Sequence, residues 1–570
     1  MTAFVTLFTT YLALVAAPAA RAKTPAATPA PVIQAMKDEL SHSLQALKEQ
    51  PTKPYFLSYE ITETQTLSVT GAFGAMTRSQ QNRRRQLDVD LRVGDYSLDN
   101  THAVRGGSTD PGARMSFVEV PVEDDVAAIR SVLWYHTDEK YNRAVEQLTK
   151  VKTNVRVKVE EQDRSADFSK EPAETFSEPV LAVKADRAAW EQKVRRYTAP
   201  FARHGDIYDG EAALSASGET RWYVNSDGSA IQTSQMQYRL SIRAMTKADD
   251  GMELPRYESF SAFSPEGLPD DATVARVVDG MIRDLEVLRA APVVEPYTGP
   301  AILSGRAAGV FFHEIFGHRV EGHRQKSVDD SQTFKKKMGE PILPDSFSVH
   351  FDPTVMRAAA TDLMGAYRFD NQGVRARRVT VVERGVLKGF LMSRSPIEGF
   401  PGSNGHGRKQ AGYTPVSRQS NLIVDVAQPL SRAALKQRLL DEVKAAGKPF
   451  GLLFQDIQGG FTFTGRFAPN AFNVTPIMVY RVLPDGREEL VRGVDLIGTP
   501  LTAFSRIEAA DDQLDVFNGT CGAESGGVPV SAVAPDVLVG QIEVQKKAQS
   551  QERPPVLPAP VGLGLEGGTR

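Results

Sequence analysis

An α+β fold in two domains is what this sequence predicts, and three observations predict it. At 570 residues the chain exceeds what one hydrophobic core organises. Its apolar residues switch repeatedly between helical spacing and strict alternation. A proline-punctuated stretch around residue 294, "APVVEPYTGPAIL", separates a first half of helices and antiparallel hairpins from a strand-rich second half.

The elements follow in order. Residues 3–19 are apolar or small, and "ARA" at 20–22 has the small-x-small form that precedes a signal-peptidase cut, so 1–22 is expected to be a signal peptide although no Lys or Arg precedes the apolar run. Export to a periplasm or the exterior follows from that expectation, and a cytoplasmic place if the segment is not a signal. Residues 23–35 are expected to be a Pro/Ala linker. The N-terminal α+β domain is placed at 36–294. In it "VIQAMKDELSHSLQALK" has helical spacing, residues 55–100 alternate as half-buried strands do, and 121–149 and 182–198 return to helix. "NSDGS" sits between two alternating runs as a hairpin turn. A further helix covers 271–290. The C-terminal domain is placed at 295–548, with strand turns at Arg384-Gly385 and Asp485-Gly486 and one helix running from a Ser431 cap to Gly447. The tail, 549–570, lacks the apolar content to pack and is expected to be disordered.

Composition excludes some functions. With 41% hydrophobic and 24% charged residues and a net charge of -3, the chain is not built to attract polyanions. The basic runs Arg83–Arg85 and Lys335–Lys337 are short solvated faces, so no nucleic-acid partner is expected. No segment after the leader is long and apolar enough to span a membrane. The single cysteine, Cys521, rules out an intramolecular disulfide.

The chemistry concentrates in "GVFFHEIFGHRVEGHRQ", residues 309–325. His313-Glu314-Ile315-Phe316-Gly317-His318 is one residue longer than H-E-x-x-H, in which two imidazoles one turn apart bind zinc and the glutamate faces the bound water. Five steps on a regular helix turn His313 and His318 apart by about 140°. They share a metal only if the helix ends near Gly317 or carries a π-bulge. The bland alternative is a core helix whose histidines satisfy local hydrogen bonds. A hydrolytic zinc site takes three protein ligands and one open position. On the residues alone the third ligand stays open among Glu321, His323 and Cys521.

The segments "YTGPAILSGRAAGVFFHEIFGHRVEG", "GSNGHGRKQAGYTPVSRQSNL" and "NGTCGAESGGVPV", with the hairpin "WYVNSDGSAIQ", resemble the successive signatures of the TldD/PmbA family of metallopeptidases. The resemblance implies His313, His318 and Cys521 as zinc ligands and Glu314 as the catalytic base, in a C-terminal zinc peptidase domain. It also implies a dimer, with a second copy or with a related subunit lacking the motif. Two imidazoles and one thiolate leave zinc a net +1, enough to polarise a carbonyl and acidify water. The expected activity is hydrolysis of peptide bonds in unfolded or flexible peptides, laid along a sheet edge. The alternative is a non-catalytic metal-binding scaffold or assembly partner whose structural zinc is closed by a fourth ligand such as His323. A serine hydrolase is disfavoured because no Gly-x-Ser-x-Gly segment occurs. His406, in "NGHGR", is expected to be a surface histidine of a glycine loop, and Cys521 to lie on a glycine-rich loop.

Overall fold

The computed structural model describes residues 30–103, 117–157, 163–327, 330–462, 464–465, 472–547, 553–557 and 559–560. The expected signal peptide and most of the expected disordered tail lie outside these residues. The fold is α+β, with a strand-rich C-terminal half.

The N-terminal half is one sheet with helices on one face. Helix α1 spans Pro31–Leu47 and so starts inside the stretch expected to be linker. Proline at the first helical position has its backbone torsion already set, and Val32, Ile33 and Met36 bury at once. Strands β1 (Pro54–Ala72) and β2 (Ala75–Val93) form the first hairpin. Helices α2 (Val126–Val157) and α3 (Arg187–Thr198) follow, then the hairpin β3 (Asp209–Asn225) and β4 (Ala230–Lys247) around the predicted Asp-Gly turn, with Gly228 at φ 102°. Strand β5 (Glu253–Ala262) joins β4, and α4 (Asp271–Ala290) is capped by Asp270, whose side chain accepts from the Thr273 N–H at 2.8 Å.

Alternation along these long strands makes the sheet two-faced. Leu57, Tyr59, Ile61, Leu67 and Val69 of β1 pack under the helices. The opposite row of β1, Ser58, Glu60, Thr62 and Thr64, is polar and faces the C-terminal half, where Asn371 donates to Glu60 and Lys409 pairs with it.

In that half, β6 (Tyr297–Leu303) leads into helix α5 (Gly305–Ile315). Strands β7 (Phe347–Phe351), β8 (Val379–Glu383) and β9 (Asn421–Val426) form one wing, and β8 turns at Arg384 and Gly385, both at positive φ, as Arg-Gly predicts. Helix α6 (Arg432–Ala445) is capped by Ser431. Strands β10 (Gly451–Thr462), β11 (Phe472–Val482), β12 (Val494–Gly498), β13 (Ile507–Ala523) and β14 (Gly526–Lys546) complete the sheet. Pairing runs β14-β12-β11-β10-β6, and β6 pairs back onto β14, so five strands close into a ring. Strand β13 hangs on β14, and α5 packs against β10, β13 and β14. No helix among the described residues is long and apolar enough to cross a membrane.

Candidate metal centre

Helix α5 is fixed at both ends. At its start the Gly305 N–H donates to Asp536 Oδ1 at 2.6 Å, placing a carboxylate at the positive end of the helix, and Ser304 Oγ donates to the Gln455 carbonyl at 2.6 Å. Its apolar side is anchored by rings: Phe316 stacks on Phe504 at 4.9 Å, and Phe311 meets Phe472 edge-on at 5.7 Å. This leaves His313 and Glu314 on the side that lines the cleft.

The helix ends where the spacing of the histidines requires. Ile315 is its last residue, and a 3₁₀ turn covers Gly317–Val320. Two side chains produce the break. The buried Arg319 guanidinium donates to the Glu314 carbonyl at 2.8 Å, taking an acceptor that the next turn would have used. Gly317 passes so close to Gln419 that a Cβ there would stand 1.9 Å from Oε1.

Beyond the break the two imidazoles converge. The His313 and His318 ring centroids are 5.0 Å apart, and a donor atom from each lies, with Cys521 Sγ, within a 4.8 Å spread. Cys521 Sγ is 3.3 Å from His318 Nε2. Ligands 2.0–2.3 Å from one tetrahedral zinc stand about 3.5 Å apart, so the set fits the ion. Cys521 sits on strand β13, not on a loop as its glycine neighbours suggested, because Gly519–Ala523 pair in register with Gly526–Val530 of β14. Burial opposes charge on both His318 and Cys521. Even so, Cys521 and Glu321 push the His318 imidazole up to about 10, and the two histidines pull the thiol well below its ordinary value. The thiolate is the form that binds metal, and it favours zinc over magnesium or calcium.

The other candidate ligands lie outside this set. Glu321 is fully buried, and its Oε2 is 3.1 Å from His318 Nδ1 and accepts from Arg324 Nε at 2.8 Å, which turns His318 Nε2 toward the thiol. His323 Nε2 is held by Glu524. Among the described residues the cluster therefore has three members, with no fourth protein donor. Glu314 is buried, and its Oε2 has no hydrogen-bond partner.

The site also uses residues that the spacing did not single out. Arg418, wholly buried, donates from Nη2 to the Cys521 carbonyl at 2.6 Å and stands 3.4 Å from Glu321, tying both sides of the centre together. Gln419 Nε2 donates to the His313 carbonyl at 3.3 Å. Both lie in "PVSRQSNL", whose only signal was its place in the resemblance. His406 is not the surface residue expected. It is fully buried, with Nε2 3.1 Å from Ser420 Oγ and its ring near Phe351 and Tyr367, because the glycines around it let the backbone fold inward. Burial, with the Arg408 and Arg377 charges, lowers its imidazole to about 3, although its Asn404 contact opposes this.

The centre opens on a cleft of about 1290 Å³, bounded by Gln458–Thr462 of β10 and Phe517–Ala523 of β13 and reached from the N-terminal half by Arg239 and Tyr257.

Comparison with known proteins bears on this geometry. The profile of the PmbA/TldA metallopeptidase C-terminal domain matches residues 296–546. A protein named metalloprotease from Archaeoglobus fulgidus is 30% identical over 237 residues, 42% of this chain. The chain spans about half of that relative's length, 51%. A protein named zinc metalloprotease TldD homolog from Saccharolobus solfataricus is 24% identical over 252 residues, covering 43% of this chain and 51% of that protein. The structure of TldE from Thermococcus kodakarensis superposes with a TM-score of 0.57 at 12% identity, over 90% of this chain and 100% of that one, a likeness of fold. The helix break that joins His313 and His318 to Cys521 lies inside the stretch, residues 296–546, that is similar to the PmbA/TldA metallopeptidase C-terminal domain.

Proposed function

We propose that this chain is a zinc peptidase that hydrolyses peptide bonds of unfolded or flexible chains, with His313, His318 and Cys521 holding the ion and Glu314 as general base. The observation that carries the reading is the Glu314 carboxylate, beside a three-donor cluster, with one buried oxygen left without a partner at the wall of an open cleft. An unmatched acceptor in a buried site costs stability and is retained where chemistry uses it. Zinc held there supplies Lewis-acid charge for a carbonyl oxygen and lowers the pKa of water. Glu314 accepts the proton from that water and passes it to the leaving amine. Glu321 and Arg418 keep His318 and the Cys521 backbone in place while this happens. The three-membered donor set leaves a coordination position for reactants, which favours this reading over a closed structural zinc.

The cleft walls suggest how substrate lies. Beyond Phe454, β10 pairs only with β11, and β13 pairs only with β14 among the described strands, so two strand edges border the centre. An extended peptide added to either edge is read through its backbone, which admits many sequences but only unfolded segments.

One experiment tests both points. The zinc-loaded chain is expected to cleave an unstructured peptide and to spare the same sequence within a stable folded domain. Glu314→Gln should lower that cleavage by about 10²–10⁴-fold with zinc content unchanged. Turnover retained in the variant removes the base, and equal cleavage of the two substrates removes the strand-edge mode.

A further inference from the structure

A second cavity, of about 330 Å³, lies between the polar face of the N-terminal sheet and the C-terminal half. The hairpin of the metal centre borders both spaces: β13 lines the cleft, while Gly527–Pro529 of the paired β14 line this second cavity. Its floor is a row that register places side by side across four strands, Arg84 of β2, Thr64 of β1, Glu219 of β3 and Gln235 of β4. Its roof comes from the loops around 364–371 and 408–411.

Most charges facing this space are already matched. Arg368 pairs with Glu178 at 2.9 Å, Lys409 with Glu60 at 2.8 Å, and Arg221 with Glu60 at 3.6 Å. Two are not. Arg408 is buried, with 7% of its surface exposed, donates to the Gln419 carbonyl and lies 4.6 Å over the Tyr367 ring, and among the described residues it has no carboxylate partner. Glu219 is solvent-exposed within the cavity yet surrounded by protein, and its carboxylate makes no hydrogen bond or ion pair among the described residues. Burial raises its carboxyl, and Arg221, Lys409 and Arg408 act on it only through their fields. One acid and one buried guanidinium thus face one small volume without pairing to each other.

We propose that this cavity binds a small zwitterion, a free α-amino acid or a dipeptide, with its ammonium on Glu219 and its carboxylate on Arg408. A guanidinium fork matches a carboxylate, and a lone carboxylate matches an ammonium. A simple anion would leave Glu219 facing negative charge. The Gln86 amide, and the amide oxygens of Gln235 and Gln237, whose nitrogens donate to the Ala366 and Met364 carbonyls, line the stretch between the two ends. The site does not depend on the peptidase reading, since none of these groups belongs to the metal centre.

The test is equilibrium dialysis of labelled dialanine against the zinc-loaded full chain carrying Glu314→Gln, so that the probe is not cut. Dialanine is expected to bind, and N-acetyl-dialanine and dialanine amide to bind at least about tenfold more weakly, one charged contact being lost in each. Glu219→Gln in the same background should weaken dialanine by a similar factor with zinc content unchanged. Equal affinity for either capped probe, unchanged affinity in Glu219→Gln, or no retention of dialanine at millimolar concentration overturns the proposal.

Discussion

Two buried clusters of charge differ in how completely they are satisfied. At the seam between the halves, Lys409 Nζ meets Glu60 and Asp88, Glu60 also accepts from Asn371 at 3.2 Å, and Asp88 from the Gly412 N–H at 3.1 Å. At the metal centre, by contrast, Glu314 Oε2, His323 Nδ1 and Gln419 Oε1 are buried without hydrogen-bond partners. Both clusters bury charge, so burial alone does not mark function. The Lys409, Glu60 and Asp88 side chains leave no buried polar atom without a partner, whereas the centre keeps some in reserve.

Four substitutions sharpen or break this contrast. The largest effect is expected from Cys521→Ser: zinc per chain should fall to near zero and peptide cleavage with it, as read by elemental analysis alongside an activity assay. Full zinc content in that variant would remove the thiol from the centre. Next is Lys409→Met, which removes the cation shared by Asp88 and Glu60, leaves Asp88 only the Gly412 N–H, and should cost about 3–5 kcal/mol of unfolding free energy in a denaturant titration, while zinc affinity is unchanged. A variant that loses zinc instead would mean that the two clusters are not separable. Glu321→Gln should weaken zinc by about 10–100-fold in chelator competition with the fold intact, because His318 loses the carboxylate that orients it. The smallest effect concerns His406. Its imidazole titrates near 3 when folded and near 6.5 when unfolded, so the unfolded chain binds the extra proton. Its contribution is complete above about pH 6.5 and is lost as pH falls toward 3, by up to about 1.4 kcal/mol per pH unit. Thermal unfolding of His406→Gln should therefore depend less steeply on pH across that window than the parent does, and identical slopes would remove the assignment.

Much of this was legible in the residues. Strict alternation located β1 to β4, the residue pattern over 271–290 located α4, a Ser cap located α6, turn chemistry located the Arg384-Gly385 reversal, and the 140° argument required α5 to end near Gly317 or carry a π-bulge, of which the first is found. The agents of that stop were hidden, because Arg319 acts by reaching back to a carbonyl five residues earlier, a contact that exists only once the 3₁₀ turn has formed. The glycines around Cys521 read as a loop because glycine is a weak strand former, but pairing of Gly519–Ala523 with Gly526–Val530 overrides that local preference. His406 was misjudged for a related reason: glycine neighbours are common both to exposed turns and to backbone packed tightly against a core.

The ring of five strands carries a consequence for how the protein matures. The strand that seals it, β14, is also the one that carries β13, and with it the sulfur, to His313 of α5 and His318 of the turn after it, some two hundred residues earlier in the chain. A nascent polypeptide on the ribosome can shape α5 and still have no complete set of donors. A metal that needs all three side chains can therefore be held only after residue 521 has been made and the β13–β14 hairpin has formed.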